Sequence, residues 1–304
     1  MTADQPYLSI CIASYGDDVS RLLSGLDMAR KRLVKQWPCE IIISDQHPEA
    51  HYKKQFWQGY SDCQYLHLPH MKGRSTNRNG LGKTARGKFL LFLDADAECP
   101  DDQFLLRYCN ASNDAKVVVG GTAYKSGYKT NELRVRIGKH KEQKSSLQRM
   151  RNPYASFSAF NFLIEKHTFN AISFDESLLE YGHEDTLFGL ELKYRNIPLN
   201  HIDNPAFHMG IDSGVDFMHK STAAVDGLAN LIAAGKIDED VRLFKIYRSI
   251  QKSGFQWFFK AIHYLCGGAI QSGLANGYLP WFFFDGYKLL RLCSHSIKIG
   301  RRMS

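Results

Sequence analysis

Leu91-Phe-Leu-Asp-Ala-Asp96 is a short apolar run that ends in two carboxylates one residue apart. The run is too short for a helix, so it predicts a buried strand. Ligands of a parallel sheet bind in the crevice beyond the carboxyl ends of its strands. Two interpretations of Asp94 and Asp96 are therefore open: oxygen ligands of a divalent metal, or merely the first residues of a polar loop.

Similar apolar runs occur on both sides of this segment and alternate with helical patterns, which predicts an α/β fold with a largely parallel sheet. The basic stretch 125–151 has nine Lys and Arg and no clean periodicity, so we expect a mobile or partly helical insertion there. The expected strands are 7–14, 40–44, 64–68, 88–93 and 116–121, and the expected helices are 19–34, 102–112, 184–194 and 217–235.

The chain has 304 residues, of which 44% are hydrophobic and 23% charged, and its formal net charge is +8. These values are typical of a globular protein and exclude fibrous or structureless classes. The seven cysteines are scattered without metal-ligand spacing, which predicts reduced thiols in the cytosol. The polar first residues and the lack of a long apolar run predict a protein that is made and kept in the cytosol.

A second acidic pair, Glu184-Asp185, begins a helical pattern directly after Gly182-His183. Acidic side chains in the first turn of a helix are stabilised by the helix dipole, which is one explanation of the pair. The other explanation is catalysis, in which a carboxylate removes the proton of an attacking hydroxyl. Both remain open on the residues alone.

The segment 72–88 carries six Lys and Arg and no acid. It suits pairing with a diphosphate through arginine side chains, or it is a solvated helix face. It is not a Walker-type phosphate loop, because Asn77 stands where the first glycine is required. His208 follows a strand-like run and is either a third metal ligand at the same crevice or a structural histidine.

The opening of the chain resembles that of glycosyltransferase family 2, whose members have the GT-A fold. In this family a first strand leads into a turn against the nucleotide. Residues 8–15 are similar to that segment, with Ala13, Ser14 and Tyr15 in the turn. Asp45 directly follows the expected strand 40–44, where the family has an acid that contacts the base or the ribose.

The later motifs follow the same family pattern. Arg78-Asn79 is similar to its Arg-Asn pair, and Asp94-Ala-Asp96 to its metal-binding DxD motif. Glu184-Asp185 resembles its ED motif, and His208 stands where several members have a metal-binding histidine. The resemblance therefore implies a GT-A fold, a Rossmann-like mixed sheet flanked by helices, with a C-terminal helical appendage that is basic and aromatic.

The implied reaction is an inverting, metal-dependent transfer of a sugar from a nucleotide-sugar, with a UDP-sugar as the first expectation. The implied acceptor is a hydroxyl of a lipid-linked or cell-surface polysaccharide. Mn²⁺ or Mg²⁺ is implied to be held by Asp96, with Asp94 and His208 assisting. Asp185 is implied to be the base, and Glu184 to help hold the acceptor. The implied nucleotide-sugar contacts are Ala13, Ser14, Tyr15, Asp45, Arg74, Arg78, Asn79 and Asp94.

The C-terminal segment 242–304 holds ten Lys and Arg against Asp285 alone, and it has thirteen aromatic residues. Its charge is +9, which leaves −1 of the total +8 for the rest of the chain. We expect it to attach to an anionic membrane surface, with a plain helical cap as the alternative. Nucleic acid is not expected, because no nucleic-acid fold signature is present. The predicted domains are 1–240, catalytic, and 241–304, amphipathic and bound to the inner face of the cell membrane.

Two other functions remain as alternatives to glycosyl transfer. A nucleotidyltransferase that forms sugar nucleotides also uses an α/β sheet and acidic metal ligands, but residues 13–16 lack the Gly-rich, Arg-bearing loop of that chemistry. A catalytically silent, membrane-bound glycan-binding scaffold has no need of two acidic pairs. Glycosyl transfer is therefore the leading prediction.

Overall fold

The computed structural model describes residues 6–33, 37–49, 60, 63–71, 73–125, 127, 132–178 and 182–297. The chain divides into two compact units. The first comprises Met1–Lys125, Glu142–Leu179 and Phe188–Gly210, and the second comprises Ser126–Lys141, Glu180–Leu187 and Ile211–Ser304.

The strands all belong to the first unit. In chain order they are β1 (Leu8–Ser14), β2 (Cys39–Asp45), β3 (Cys63–His67), β4 (Phe89–Asp94), β5 (Ala97–Glu98), β6 (Val117–Val119), β7 (Thr122–Ala123), β8 (Asn161–Glu165), β9 (Asn200–His201) and β10 (Ala206–His208).

Seven strands form one mixed sheet in the order β3-β2-β1-β4-β8-β6-β9, and β5, β10 and β7 form a smaller one. The pairs β3-β2, β2-β1 and β1-β4 are parallel, whereas β8 runs antiparallel to both of its neighbours. The registers align Ser14 with Asp45 and Ala13 with Asp94. The carboxyl ends of β1, β2 and β4 therefore lie side by side.

The helices occur in both units. They are α1 (Ser20–Arg30), α2 (Arg74–Thr84), α3 (Phe104–Ala111), α4 (Leu133–Lys141), α5 (Ser146–Arg149), α6 (Lys166–Ile172), α7 (Glu184–Tyr194), α8 (Gly214–Ala233), α9 (Arg242–Lys252), α10 (Gln256–Ala275) and α11 (Phe283–Ser294).

The sheet separates two apolar layers because alternate strand residues point to opposite faces. Ile10 and Ile12 of β1 pack into the layer that contains α1 and α3, whereas Cys11 packs into the layer on the other side. The second layer contains a group of phenylalanines, among them Phe92 and Phe162, stacked with ring centroids 5.0 Å apart. The predicted α/β fold with a central mixed sheet is confirmed.

The second unit has an apolar core of its own. Residues of α4, α8, α10 and α11 form it, with Met218, Leu274 and Tyr287 at most 2% exposed. Within the described part of the chain, no helix is both long and apolar enough to cross a bilayer.

Both basic segments contain helix, as the expectation of a partly helical insertion at 125–151 allows. The segment 72–88 contains α2, and the described part of 125–151 contains α4 and α5. The remaining positions of that insertion, and the tail residues Lys298, Arg301 and Arg302, lie outside the described residues.

Candidate active site

A cavity of about 530 Å³ opens at the carboxyl ends of β1 and β4 in the first unit. This is the edge at which parallel sheets bind ligands. Its lining residues are Ala13, Ser14, Tyr15, Asp17, Gln46, Pro48, Pro69, Met71, Gly73, Arg74, Asn77, Arg78, Asp94, Ala95 and Asp96.

Arg78 and Asp94 form an ion pair in the cavity wall. Arg78 Nη2 donates to Asp94 Oδ1 over 2.6 Å, and the guanidinium lies 5.5 Å from the ring centroid of Phe174. Only 4% of the Arg78 side chain is exposed, although it belongs to a helix rich in polar residues. The face of α2 that bears Ser75, Arg78 and Asn79 is buried, so α2 is not a solvated basic helix.

Asp96 lies two residues further along, beside His208 of β10. Asp96 Oδ2 is 3.7 Å from His208 Nε2. The imidazole is stacked between the rings of Tyr124 and Phe160, at centroid distances of 5.7 and 5.2 Å. These two rings fix the plane of the imidazole against the carboxylate.

The two residues after β10, Met209 and Gly210, lie directly against Asp96. Met209 N donates to the Asp96 carbonyl oxygen over 2.9 Å. A Cβ added at Gly210 would overlap Asp96 Oδ2, so no other residue fits there without displacing the carboxylate. The glycine thus permits a close approach of the chain to the acidic pair.

Burial, together with the neighbouring carboxylates of Asp94 and Asp17, raises the pKa of Asp96 to about 7, whereas Arg74 opposes the shift. The ionised form of Asp96 is therefore disfavoured in the protein alone. A bound cation would relieve both the burial cost and the repulsion, because its charge favours the carboxylate.

Few of the described side chains that could bind a metal lie near Asp96. Among the described residues, no group of three or more His, Cys, Asp and Glu side chains is placed to hold a metal. Asp96 and His208 together offer a carboxylate oxygen and an imidazole nitrogen, ligand types that Mn²⁺ accepts. The residues fit a divalent ion whose further ligands come from outside the protein, such as phosphate oxygens or water.

Asp45 does not line the cavity. Its side chain is fully buried, and its two oxygens accept hydrogen bonds from Gly16 N at 2.9 Å, His47 N at 3.0 Å and the Tyr65 hydroxyl at 2.8 Å. In this structure Asp45 fixes the turn after β1 against the end of β2. Tyr15, in that turn, is exposed at the cavity and lies 5.2 Å from the His47 ring, edge to face.

Asn79 also points away from the cavity. Asn79 Nδ2 donates to the Phe174 carbonyl oxygen at 2.9 Å and to Glu176 Oε1 at 2.8 Å. Asn79 Oδ1 accepts a hydrogen bond from Phe174 N at 2.9 Å. Arg74, one helical turn before Arg78, does line the cavity. The two predicted arginines therefore belong to one wall, whereas the predicted asparagine stabilises a neighbouring loop.

Sequence reasoning missed Asn77 and Gln46, which line the cavity. Asn77 Nδ2 donates to the carbonyl oxygens of Ser14 and Ser44, both at 3.3 Å, and so joins α2 to β1 and β2. Among the described residues, Asn77 Oδ1 and Gln46 Nε2 have no hydrogen-bond partner. The sequence does contain a signal for Asn77: it lies three residues after Arg74, and residues three or four apart lie on the same face of a helix.

Glu184 and Asp185 form the first turn of α7, in the Glu180–Leu187 stretch of the second unit. The turn before them has left-handed backbone at Gly182, with φ 99°, and at His183, with φ 71°. His183 Nε2 donates to the Ala224 carbonyl oxygen over 2.8 Å, and burial lowers the pKa of this imidazole. This hydrogen bond holds the strained turn that presents the acidic pair.

Comparison with known families is decisive for classification. The family model described as Glycosyl transferase family 2 matches residues 9–173, more than half of the chain. The chain belongs to glycosyltransferase family 2. It is therefore a glycosyltransferase, and the predicted membership of this family is confirmed. A comparison with curated protein sequences gave no match.

Solved structures of similar fold cover nearly all of this family 2 chain. TarS 1-349 from S. aureus is 15% identical, with 94% of this chain and 89% of that chain covered and a TM-score of 0.52. The mannosyltransferase PcManGT from Pyrobaculum calidifontis, in complex with GDP-Man and Mn²⁺, is 13% identical, with 95% and 86% covered and a TM-score of 0.58. TarS 1-349 in complex with UDP-GlcNAc is 17% identical, with 94% and 89% covered and a TM-score of 0.51. At these identities the likeness shows a shared GT-A fold.

Proposed function

We propose that this enzyme transfers a sugar from a nucleotide-sugar to a hydroxyl of a lipid-linked or cell-surface glycan, with inversion at the anomeric carbon and with Mn²⁺ or Mg²⁺. The observation that carries the proposal is the composition of the cavity wall. Two carboxylates, Asp94 and Asp96, lie in it together with two arginines, Arg74 and Arg78. Such a wall suits a metal-bound diphosphate, because it offers both cation ligands and donors to phosphate oxygens.

Two observations support a nucleotide-sugar donor: the position of the cavity in the sheet, and the ligands bound in solved structures of the same fold. The cavity lies at the sheet edge where nucleotides bind in α/β proteins. Two structures of this fold contain UDP-GlcNAc and GDP-Man. We take a UDP-sugar as the first candidate, with Tyr15 and the turn around Ser14 against the nucleoside.

Asp96 and His208 are the residues that would hold the metal, with Asp94 assisting. When bound, a divalent ion supplies Lewis-acid stabilisation of the negative charge that develops on the leaving diphosphate. Arg74 and Arg78 donate hydrogen bonds to oxygens of the leaving diphosphate and add electrostatic stabilisation where its negative charge forms. Arg78 also fixes Asp94 through the ion pair at 2.6 Å, so one guanidinium orients the acidic segment.

Asp185 is the proposed general base. It accepts the proton of the acceptor hydroxyl as that oxygen attacks the anomeric carbon from the side opposite the diphosphate. A single displacement of this kind inverts the anomeric centre. Glu184 helps to hold the acceptor, and the turn at Gly182 and His183 fixes the start of α7 that carries both side chains.

Donor hydrolysis tests this proposal without knowledge of the acceptor. Purified enzyme is incubated with UDP-, GDP- and dTDP-sugars and Mn²⁺, and the released nucleotide is measured. We expect one class of donor to yield free nucleoside diphosphate, with the rate abolished in Asp96→Asn and unchanged in Asp27→Asn, an exposed acid paired with Lys31. No turnover of any donor would favour the silent scaffold, and release of pyrophosphate from nucleoside triphosphate would favour a nucleotidyltransferase.

A further inference from the structure

Helix α10 of the second unit has an exposed apolar face. Its 20 residues include a single charged side chain, Lys260. The helix packs against α8 and α11 and buries Gly267 and Leu274 there. Its outer side exposes Trp257 by 67%, Tyr264 by 88% and Leu265 by 78%.

These exposed side chains form a stripe. Positions 257, 261, 264, 265 and 268 are separated by four, three, one and three residues, which places them on one face of a helix. All five are exposed, and none is charged. A soluble helix normally turns such a face inward.

Further exposed aromatic side chains lie at the start of α10 and in the residues that follow it. Phe255 and Phe258 are exposed at its start, and Tyr278, Phe282 and Phe283 after its end. Of the fourteen large hydrophobic side chains found exposed in the described chain, eight lie between residues 255 and 283. The exposed apolar surface is therefore concentrated in this one region.

Exposed cations lie in α10 itself and in the preceding helix, α9. In the described part of the C-terminal segment, Arg248, Lys288 and Arg291 have carboxylate partners. The other four cations are exposed, and no carboxylate partner is described for them: Arg242, Lys245, Lys252 and Lys260.

We propose that α10 lies on an anionic lipid surface, with Trp257, Tyr264 and Leu265 in the boundary between headgroups and acyl chains. Apolar insertion combined with attraction of Lys and Arg to anionic lipid is how an interfacial helix binds. A second copy of this chain fits the face less well, because symmetric pairing of α10 would bring Lys260 of one copy towards Lys260 of the other. The inference does not depend on the catalytic proposal.

Vesicle flotation with the full-length protein tests the surface. Phosphatidylcholine vesicles are compared with vesicles in which about a third of the lipid is phosphatidylglycerol. We expect binding to the anionic vesicles, weakened at least tenfold by Leu265→Glu and about fivefold by each of Lys252→Ala and Lys260→Ala. Leu147→Glu is the matched control, since Leu147 is a leucine of the first unit with 74% exposure, and it should bind as the wild type does.

Fluorescence gives a second readout from a conservative variant. Brominated lipids should quench tryptophan emission in the wild type, and Trp257→Phe should lose most of that quenching while keeping its fold. Quenching in Trp257→Phe that equals quenching in the wild type would overturn the proposal. So would binding of Leu265→Glu to anionic vesicles as tightly as the wild type. Self-association that Leu265→Glu abolishes, without any vesicle binding, would overturn it in favour of a second copy. Donor hydrolysis is measured separately, so failure here leaves the catalytic proposal intact.

Discussion

Arg78 and Asp94 form a nearly buried ion pair, at 2.6 Å, between a helix and the end of the central strand of the sheet. The pair orients the acidic segment, and it leaves a guanidinium at the cavity wall. Its removal should therefore affect both stability and catalysis.

Arg78→Ala should lower the free energy of unfolding by about 3 kcal/mol, because it leaves the Asp94 carboxylate partly buried without its partner. Arg78→Lys keeps the charge but loses the planar fork, so we expect a smaller loss of stability and a fall in kcat/KM of about a hundredfold. Urea unfolding and donor hydrolysis measure the two effects. Arg32→Ala is the control: its pair with Asp102 is exposed, and its loss should change stability by less than about 1 kcal/mol. Normal kcat/KM in Arg78→Lys would exclude a role at the diphosphate.

Gly210→Ala should reduce metal-dependent donor hydrolysis by at least tenfold while the protein stays folded. The added methyl overlaps Asp96 Oδ2, so the carboxylate must move away from His208. The concentration of Mn²⁺ that gives half-maximal activity should rise. Gly286→Ala is the matched control, because a Cβ there meets nothing within 4 Å and a helical alanine stabilises by up to about 1 kcal/mol. Unchanged Mn²⁺ dependence in Gly210→Ala would show that Asp96 does not bind the ion.

Mn²⁺ should bind about tenfold more weakly at pH 6 than at pH 8, since a proton on Asp96 competes with the ion and the pKa of this carboxyl is about 7. An unfolded aspartic acid loses its proton near pH 3.8, well below the folded value. The protonated Asp96 therefore contributes stability to the metal-free protein that is complete below about pH 4 and lost as the pH rises through 7.

Thermal unfolding with and without Mn²⁺ across this range measures that competition. The rise in Tm caused by Mn²⁺ should be larger at pH 8 than at pH 6. In Asp96→Asn the rise in Tm caused by Mn²⁺ should be small at every pH. A rise in Tm that does not depend on pH in the wild type would contradict the assignment.

Asp185→Asn should lower sugar transfer by about a thousandfold, because the amide cannot accept the proton of the attacking hydroxyl. Donor affinity, measured by binding of the nucleoside diphosphate with Mn²⁺, should stay within about twofold, since the donor contacts lie in other residues. Glu191→Gln on the same helix, an exposed residue paired with Arg195, should leave both quantities unchanged. Near-normal transfer by Asp185→Asn would mean that another group is the base.

Apolar strands were predictable because burial on two faces requires continuous hydrophobic runs. Expected strand 7–14 is β1 (Leu8–Ser14), and expected strand 88–93 is β4 (Phe89–Asp94), each within one residue. The helix pattern at 184–194 also has the expected bounds. Strand 116–121 shortens to β6 (Val117–Val119), because Gly120 and Gly121 separate it from β7, and Gly121 has left-handed backbone with φ 96°.

Helix α2 could not be read from hydrophobic periodicity. It buries Asn77, Arg78 and Asn79, polar residues whose partners lie far away in sequence. The same is true of Asp45: the family resemblance implies a contact with the nucleotide, but the Asp45 oxygens accept hydrogen bonds from Gly16 N, His47 N and the Tyr65 hydroxyl. Long-range hydrogen bonds of this kind have no local sequence signal.

The cysteines differ sharply in their surroundings. All seven are free, and Cys266 of α10 is the exposed one. Burial raises the pKa of Cys63 and Cys293 to about 11, and that of Cys99 and Cys109 to about 12, so these thiols stay protonated near neutral pH. One equivalent of a maleimide dye or nitroxide should therefore label Cys266 selectively in the unmodified protein, and give a site-specific spectroscopic probe beside the exposed face of α10.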